Sequence, residues 1–136
     1  MQTCTMRIEA ALGNEPAVQR FLTEALGTTE CPPKARKELR LAVEELFVNV
    51  ARYAYDPGRA MWRCRCLSRP TGAGRGWCCA TAACRSTRSG TPTPGSPLGG
   101  GDSHRGLGIM MVKRLMDAHS YRYVDGCNEV TIAKRW

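Results

Sequence analysis

The chain has 136 residues, enough for one domain with a single hydrophobic core. Its formal charge of +8 would suggest a nucleic-acid partner. Much of the positive surplus, however, lies in residues 60–101, which contain no acidic residue. The arginines there are Arg63, Arg65, Arg69, Arg75, Arg85 and Arg88. No apolar run is long enough to span a membrane, and the N-terminus has no signal-peptide pattern, so we expect a cytoplasmic protein.

The regular elements follow one another in a simple order. Residues 3–10 alternate as in a strand, and residues 16–27 have helical spacing between Pro16 and Gly27. A second helix is predicted over 34–55, with an apolar stripe formed by Leu39, Val43, Leu46, Phe47, Val50 and Ala54. A third helix begins near Gly106, and its inward side chains are Ile109, Val112, Leu115 and Met116. Asp125-Gly126 then joins two strands in a hairpin.

This element order predicts an α+β sandwich in which helices cover one face of a sheet. Residues 60–102 interrupt the pattern, although strands are still expected near 61–67 and 76–82 because "MWRCRCL" alternates and "WCCATAA" is small and apolar. If the interpretation is right, Val43 and Val50 are buried and Glu45 lies outside the core.

The cysteines concentrate in the same interrupted segment. Five of the eight fall there, namely Cys64, Cys66, Cys78, Cys79 and Cys84. A C-x-C pair followed by C-C and a single cysteine fits no zinc-site spacing, and neither His104 nor His119 completes one. Without a secretion signal, a disulfide framework is not expected either.

The second helix carries the candidate chemistry. Glu45 and Asn49 are four residues apart and therefore neighbours on the helix, roughly opposite Val43, with Arg52 beside them. One interpretation is a solvated polar face; the other is a carboxylate base beside an amide that can ligate a hard cation such as Mg²⁺. Gly106-Leu107-Gly108 opens the third helix, where free N–H groups and the helix dipole favour phosphate. An ordinary flexible loop is the alternative for that motif.

Two motifs resemble those of a known superfamily. "AVEELFVNVARYAY" is similar to the N-box of the GHKL ATPases, which include gyrase B, Hsp90, histidine kinases and MutL, and "RGLGIMMVKRLMD" is similar to their G2 box. Residues 1–59 and about 103–136 resemble, in order and spacing, the anti-sigma factor serine/threonine-protein kinases of the RsbW/SpoIIAB type. The resemblance implies one GHKL (Bergerat-type) ATPase sandwich over residues 1–136, with helices packed on one face of a mixed, mostly antiparallel sheet.

The resemblance also implies a function and a site. The activity would be phosphorylation of a serine on an anti-anti-sigma (STAS-type) partner, with ATP and Mg²⁺ as cofactors and a sigma factor as the second partner. Glu45 would be the general base and Asn49 the Mg²⁺ ligand. The implied ATP-binding residues are Asn49, Arg52, Gly106, Leu107, Gly108 and Thr131. A homodimer is expected, with no direct contact to nucleic acid or membrane.

The interrupted segment departs from the family pattern. The family places there a G1 box, D-x-G-x-P-F-D-P, whose first Asp reads the adenine amino group, but residues 60–101 contain no Asp or Glu. When "ATAACRSTRSGTP" is written in GC-rich codons and read from the third base, it becomes D-R-G-V-P-F-D-P-L-G-D-P. We therefore hypothesise a frameshift that begins near residues 59–60 and ends by about 101–103. A natural, divergent insert is the alternative.

Loss of the adenine-reading carboxylate predicts poor ATP binding by the chain as written, because a missing buried hydrogen-bond partner costs about 1–3 kcal/mol. The protein translated from the restored frame should instead prefer ATP to GTP. Two other functions remain open. A non-catalytic module that sequesters a sigma factor, or binds another protein, would be indifferent to Glu45, and a basic nucleic-acid binder would show a steep salt dependence.

Overall fold

The computed structural model describes residues 2–27, 29–54, 60–71, 74–85 and 110–136. Within these ranges the order is one strand, two helices, two strands, a short helix and two more strands, and all the strands belong to one sheet. No helix among the described residues is long and apolar enough to cross a bilayer.

Five strands form the sheet: β1 (Gln2–Glu9), β2 (Ala60–Thr71), β3 (Gly74–Arg85), β4 (Ala118–Val124) and β5 (Cys127–Arg135). Their order is β1-β2-β3-β5-β4, and each neighbouring pair is antiparallel. The predicted α+β class is confirmed, although the described sheet is antiparallel throughout, where a mixed sheet was expected. β2 and β3 contain both strands expected in the interrupted segment, and each is longer than predicted.

The helices agree with the predicted spans in most places. A short 3₁₀ turn, Leu12–Asn14, leads into α1 (Glu15–Gly27), and α2 (Pro33–Asn49) begins after the extended residue Pro32. Pro33 suits this position because its fixed φ is compatible with a first helical turn and its missing N–H loses nothing there. α2 does not continue to residue 55 as a regular helix, because residues Val50–Ala54 form a π-helical turn. Residues 110–115 form a further helix, α3.

The core lies between the helices and one face of the sheet. Strand side chains alternate between the two faces, and those that lie beneath the helices include Trp62, Cys64, Cys66, Trp77, Cys79, Val130 and Ile132. Val43 and Val50 of the second helical segment are buried as predicted. Phe47 meets Trp62 edge to face, with ring centroids 5.2 Å apart and planes at 82°. In this geometry the electron-poor edge of one ring lies against the electron-rich face of the other, which is an electrostatically favourable contact.

The last hairpin forms where Asp125-Gly126 predicted it. Both residues have positive φ, 52° for Asp125 and 76° for Gly126. A two-residue turn with positive φ at both positions matches the right-handed twist of the flanking strands, and an Asp-Gly pair adopts it at low cost. The turn sets the register that pairs Val124 with Cys127.

One disulfide joins Cys84 of β3 to Cys127 of β5, although no disulfide framework was expected from the sequence. The two residues are direct partners in the register of these strands, with Cα atoms 4.5 Å apart, so the bridge needs no displacement of the backbone. Pairing across the sheet cannot be recognised from sequence spacing, because the two cysteines are 43 residues apart.

Candidate functional site

The end of α2 and the π-helical turn after it carry the three polar residues singled out in the sequence. Asn49 is buried at 5% exposure, Glu45 is half-buried and Arg52 is exposed. A fully solvated face is therefore the wrong interpretation for this part of the helix. Asn49 borders the apolar stripe instead of lying opposite Val43, since its direction is only about 60° from that of Leu46 at 100° per residue.

Asn49 has an unusual environment for a buried amide. Its Nδ2 atom has no hydrogen-bond partner among the described residues. Leaving a buried polar group unsatisfied costs about 1–3 kcal/mol, and such a group is explained by a bound water or ion, by strain or by a functional role. The π-helical turn begins at the next residue, Val50. Turns of this kind occur frequently at functional sites.

The donor chemistry at the end of α2 fits a hard cation. Mg²⁺ prefers oxygen ligands and usually keeps water and substrate phosphates among them, so one amide oxygen and one nearby carboxylate are a sufficient protein contribution. The oxygen and nitrogen of an Asn amide are assigned from their hydrogen bonds. Because Nδ2 is unpaired, a rotated amide of Asn49 can offer its oxygen in the same place. Asn49 would hold the ion, which would neutralise phosphate charge when bound, and the Glu45 carboxylate would stay available to accept a proton.

The two adjacent glutamates of α2 have different surroundings. Burial raises the pKa of Glu44, and repulsion from Glu15 and Glu45 raises it further, against a smaller lowering by Arg40. Glu44 lines a surface groove with Gln19 and Arg40, where the Arg40 guanidinium donates to the Gln19 side-chain oxygen at 3.0 Å. Glu44 therefore belongs to the contact between α1 and α2. Glu45 is the carboxylate that neighbours Asn49.

Thr131 does not join this group. It lies between Val130 and Ile132, which are both buried beneath the helices, so its side chain lies on the opposite face of the sheet. Its register partner Ala80 belongs to that open face, where it lines a shallow concavity of about 330 Å³ with Arg63 and Arg65. The prediction that Thr131 binds ATP stays a prediction, and this sheet register puts its side chain on the face away from the helices.

Two other polar residues lie on the helix-covered face and were missed in the sequence. Thr81 and Asn128 are buried at 4% and 2% exposure. The Thr81 hydroxyl donates to the Val130 carbonyl oxygen at 3.3 Å, and the Tyr121 hydroxyl donates to Asn128 Oδ1 at 2.6 Å. The alternation of β5 contained the signal, because Asn128 is two residues from Val130 and therefore shares its face.

The remaining predicted site residues, Gly106, Leu107 and Gly108, lie outside the described residues, as does Ile109. The prediction that they border the same pocket as Glu45 and Asn49 stays a prediction. The described part of α3 begins at residue 110 and is anchored close to α2. Lys134 of β5 donates to the carbonyl oxygen of Leu115 and also pairs with Glu38 of α2. Val112 and Met116 are buried as expected, and Leu115 packs against the core.

An antiparallel sheet is covered on one face by helices, and a carboxylate and a buried amide lie one turn apart at the end of a long helix, as the resemblance to the GHKL ATPases implies. The family comparison agrees with this. The model of the histidine kinase-like ATPase domain matches residues 8–134, and the chain belongs to that family. The match extends through the interrupted segment.

A solved structure shows the same fold. The chain is similar to the crystal structure of the RsbU and RsbW domains of Rv1364c from Mycobacterium tuberculosis, with a TM-score of 0.64 at 12% sequence identity. The match covers 99% of this chain but 32% of that one, so the chain spans about a third of that protein's length. No curated protein matches the sequence.

Proposed function

We propose that this chain is an ATP-dependent protein serine/threonine kinase that regulates a sigma factor by phosphorylating an anti-anti-sigma (STAS-type) partner, in the cytoplasm and as a homodimer. The observation that carries the proposal is the buried, unpaired Asn49 amide beside half-buried Glu45, at the end of the helix that resembles the N-box. Membership of the histidine kinase-like ATPase family supports ATP as the ligand. The structural likeness to RsbU and RsbW domains supports the fold.

The proposed reaction transfers the γ-phosphoryl group of ATP. Glu45 accepts the proton of the partner's serine hydroxyl as that oxygen attacks the γ-phosphorus. The bond between the γ-phosphorus and the bridging oxygen breaks, which gives phosphoserine and ADP. Asn49 would ligate the Mg²⁺ that accompanies ATP, and the backbone of Gly106, Leu107 and Gly108 would bind the phosphates. Arg52 is exposed and close enough in sequence to Asn49 to contribute positive charge at the rim of the site.

A direct test is calorimetry with Mg-ATP together with phosphoryl transfer from γ-labelled ATP to a STAS-type protein. Glu45→Gln should abolish transfer and leave ATP binding within a few fold, because the base acts only in the chemical step. Asn49→Ala should weaken ATP binding itself. Unchanged transfer in Glu45→Gln would contradict the assignment of the base.

We infer that the activity is impaired in the chain as written, since no acid occurs between residues 60 and 101 to read adenine. The frame hypothesis explains this deficit, and resequencing the gene across codons 58–104 tests it. Two compensating frame changes near the predicted positions are expected, and an uninterrupted frame contradicts the hypothesis. ATP selectivity over GTP should then appear only in the protein translated from the restored frame, which we call the restored-frame protein.

The same missing acid favours a second candidate function, a non-catalytic module that sequesters a sigma factor through its surface. The two candidates are separated by partner binding. Partner affinity that does not change with ATP or with Glu45→Gln would favour the non-catalytic module, whereas affinity that depends on the nucleotide would favour the kinase.

A further inference from the structure

Three cysteine sulfurs meet beneath the helices at the centre of the sheet. Cys64 Sγ lies 3.6 Å from Cys66 Sγ and 2.9 Å from Cys79 Sγ, and the third side of the triangle, between Cys66 and Cys79, is 3.7 Å. All three side chains are buried, at 2%, 2% and 0% exposure. Among the described residues, this is the one group of three or more metal-ligating side chains close enough to share an ion.

The sheet explains why these residues meet although their spacing resembles no zinc motif. Residues i and i+2 of a strand share a face, so the C-x-C pattern places Cys64 and Cys66 together. The antiparallel register of β2 and β3 then pairs Cys66 directly with Cys79. The three cysteines come from two paired strands. No metal site was expected from the sequence, because that expectation considered only the spacing of cysteines along the chain.

More sulfur lies on the same face toward the edge of the sheet. In the register of β1 with β2, Cys4 pairs with Cys66 and Met6 pairs with Cys64. Both are half-buried, and Met6 packs against the core. The edge strand therefore places two further soft donors between solvent and the buried triangle.

We propose that Cys64, Cys66 and Cys79 form a buried binding site for a single Cu(I) ion. Soft thiolate and thioether ligands select Cu(I), which is stable at low coordination number, whereas a structural zinc ion almost always takes four ligands. The triangle supplies three sulfur ligands. Thr81, the register partner of Cys64, is not counted as a fourth ligand, because its hydroxyl already donates to the Val130 carbonyl oxygen.

Binding requires modest adjustment. In a trigonal site with metal–sulfur distances of about 2.3 Å, the sulfurs lie roughly 4 Å from one another. The Sγ atoms of Cys64 and Cys79 are the closest pair of the triangle, so they would have to move apart the most. Cysteine ligates a metal as the thiolate, so a thiol that coordinates the ion releases its proton to solvent. Cys4 and Met6 offer the ion a path of sulfur ligands from the sheet edge.

The test loads the full chain with Cu(I) under anaerobic conditions, with ascorbate as reductant and a Cu(I)-specific chelator as competitor. We expect one ion per chain and an affinity that falls at least about tenfold in Cys79→Ser. Cys78→Ser is the matched control, because it makes the same chemical change one residue away, on the opposite face of β3. It should bind as the parent does.

X-ray absorption on the loaded parent chain keeps the proposal testable even if Cys79→Ser does not fold. Three sulfur neighbours and no nitrogen or oxygen are expected. The proposal is overturned if the parent retains no copper, if Cys78→Ser loses as much affinity as Cys79→Ser, if the ion has nitrogen or oxygen ligands, or if mass spectrometry shows two of the three thiols joined as a disulfide in the anaerobic sample.

Discussion

Lys134 Nζ of β5 lies 2.5 Å from Glu38 Oε2 of α2, and both side chains are only 16% exposed. The same ammonium group donates to the carbonyl oxygen of Leu115 at the end of α3. One cation therefore connects the strand, the helix that carries Glu45 and the helix that follows the glycine motif. An ion pair this far from solvent is screened less than one on the surface.

Glu38→Gln and Lys134→Met should each destabilise the fold by about 2–3 kcal/mol, because each leaves a largely buried partner without its counter-charge. Urea denaturation measures the change. Arg122→Ala is the control, since Arg122 pairs with Glu129 at 2.7 Å but is 70% exposed. It should cost no more than about 1 kcal/mol. Equal losses at the buried and the exposed pair would contradict this interpretation.

Removal of the Asn49 side chain should separate stability from function. Asn49→Ala eliminates an amide whose nitrogen has no partner, so the free energy of unfolding should change by less than about 1 kcal/mol. Affinity of the restored-frame protein for Mg-ATP should fall at least about tenfold. Thermal unfolding and calorimetry on the same samples give both quantities.

Asn128→Ala is the contrasting variant for stability. Asn128 is also buried, but it accepts a hydrogen bond from the Tyr121 hydroxyl. Its loss leaves that hydroxyl unpaired and should cost about 1–3 kcal/mol. If Asn49→Ala destabilised the fold as much as Asn128→Ala, the role of Asn49 would be structural.

Glu44 should make stability depend on pH in an unusual direction for a carboxylate. Its pKa is raised by burial and by the charges of Glu15 and Glu45. Between the ordinary pKa and the raised one, the folded chain keeps a proton that the unfolded chain has released. Stability from this group therefore falls as pH rises through that interval. Glu44→Gln should stabilise the chain at pH 7 and have little effect well below the ordinary pKa of a glutamate.

Glu24→Gln provides the comparison for Glu44, because Glu24 is an exposed glutamate on α1. Denaturation curves at several pH values should show a change in pH dependence for Glu44→Gln alone. A stability gain that is the same at every pH would mean that the effect of Glu44 is not electrostatic.

Much of the fold follows from local patterns. The apolar stripe of α2, the Asp-Gly turn and the alternation of "MWRCRCL" each indicate an element that the structure contains. Local patterns leave open whatever depends on strand register or on the boundary of an element. Thr131 lies on the other face because Val130 and Ile132 fill the core, and Asn49 is buried because it borders the stripe. The sulfur triangle and the Cys84–Cys127 bridge depend on strand pairing, which one strand's sequence does not specify.

The bond between Cys84 and Cys127 should contribute strongly to stability. A cross-link that closes 43 residues removes about 4 kcal/mol of chain entropy from the unfolded state in the loop-closure model. Cys127→Ser should lower the midpoint of urea denaturation accordingly, and dithiothreitol should have no additional effect on that variant. Cys4→Ser, at a half-buried cysteine of β1, should change the midpoint little. A parent chain insensitive to reductant would contradict the expectation.

The position of that bridge also decides how the chain behaves once it is cut. Residues 85–126 lie between the two linked cysteines, so a protease that cleaves one peptide bond there yields two fragments that stay covalently attached. The nicked molecule would keep its mass in a non-reducing gel, apart from the added water, and separate into two bands only after reduction. Both fragments would still contribute adjacent strands, β3 and β5, to the sheet. The two parts of the domain would therefore stay covalently joined even if the backbone were cut at Gly106-Leu107-Gly108.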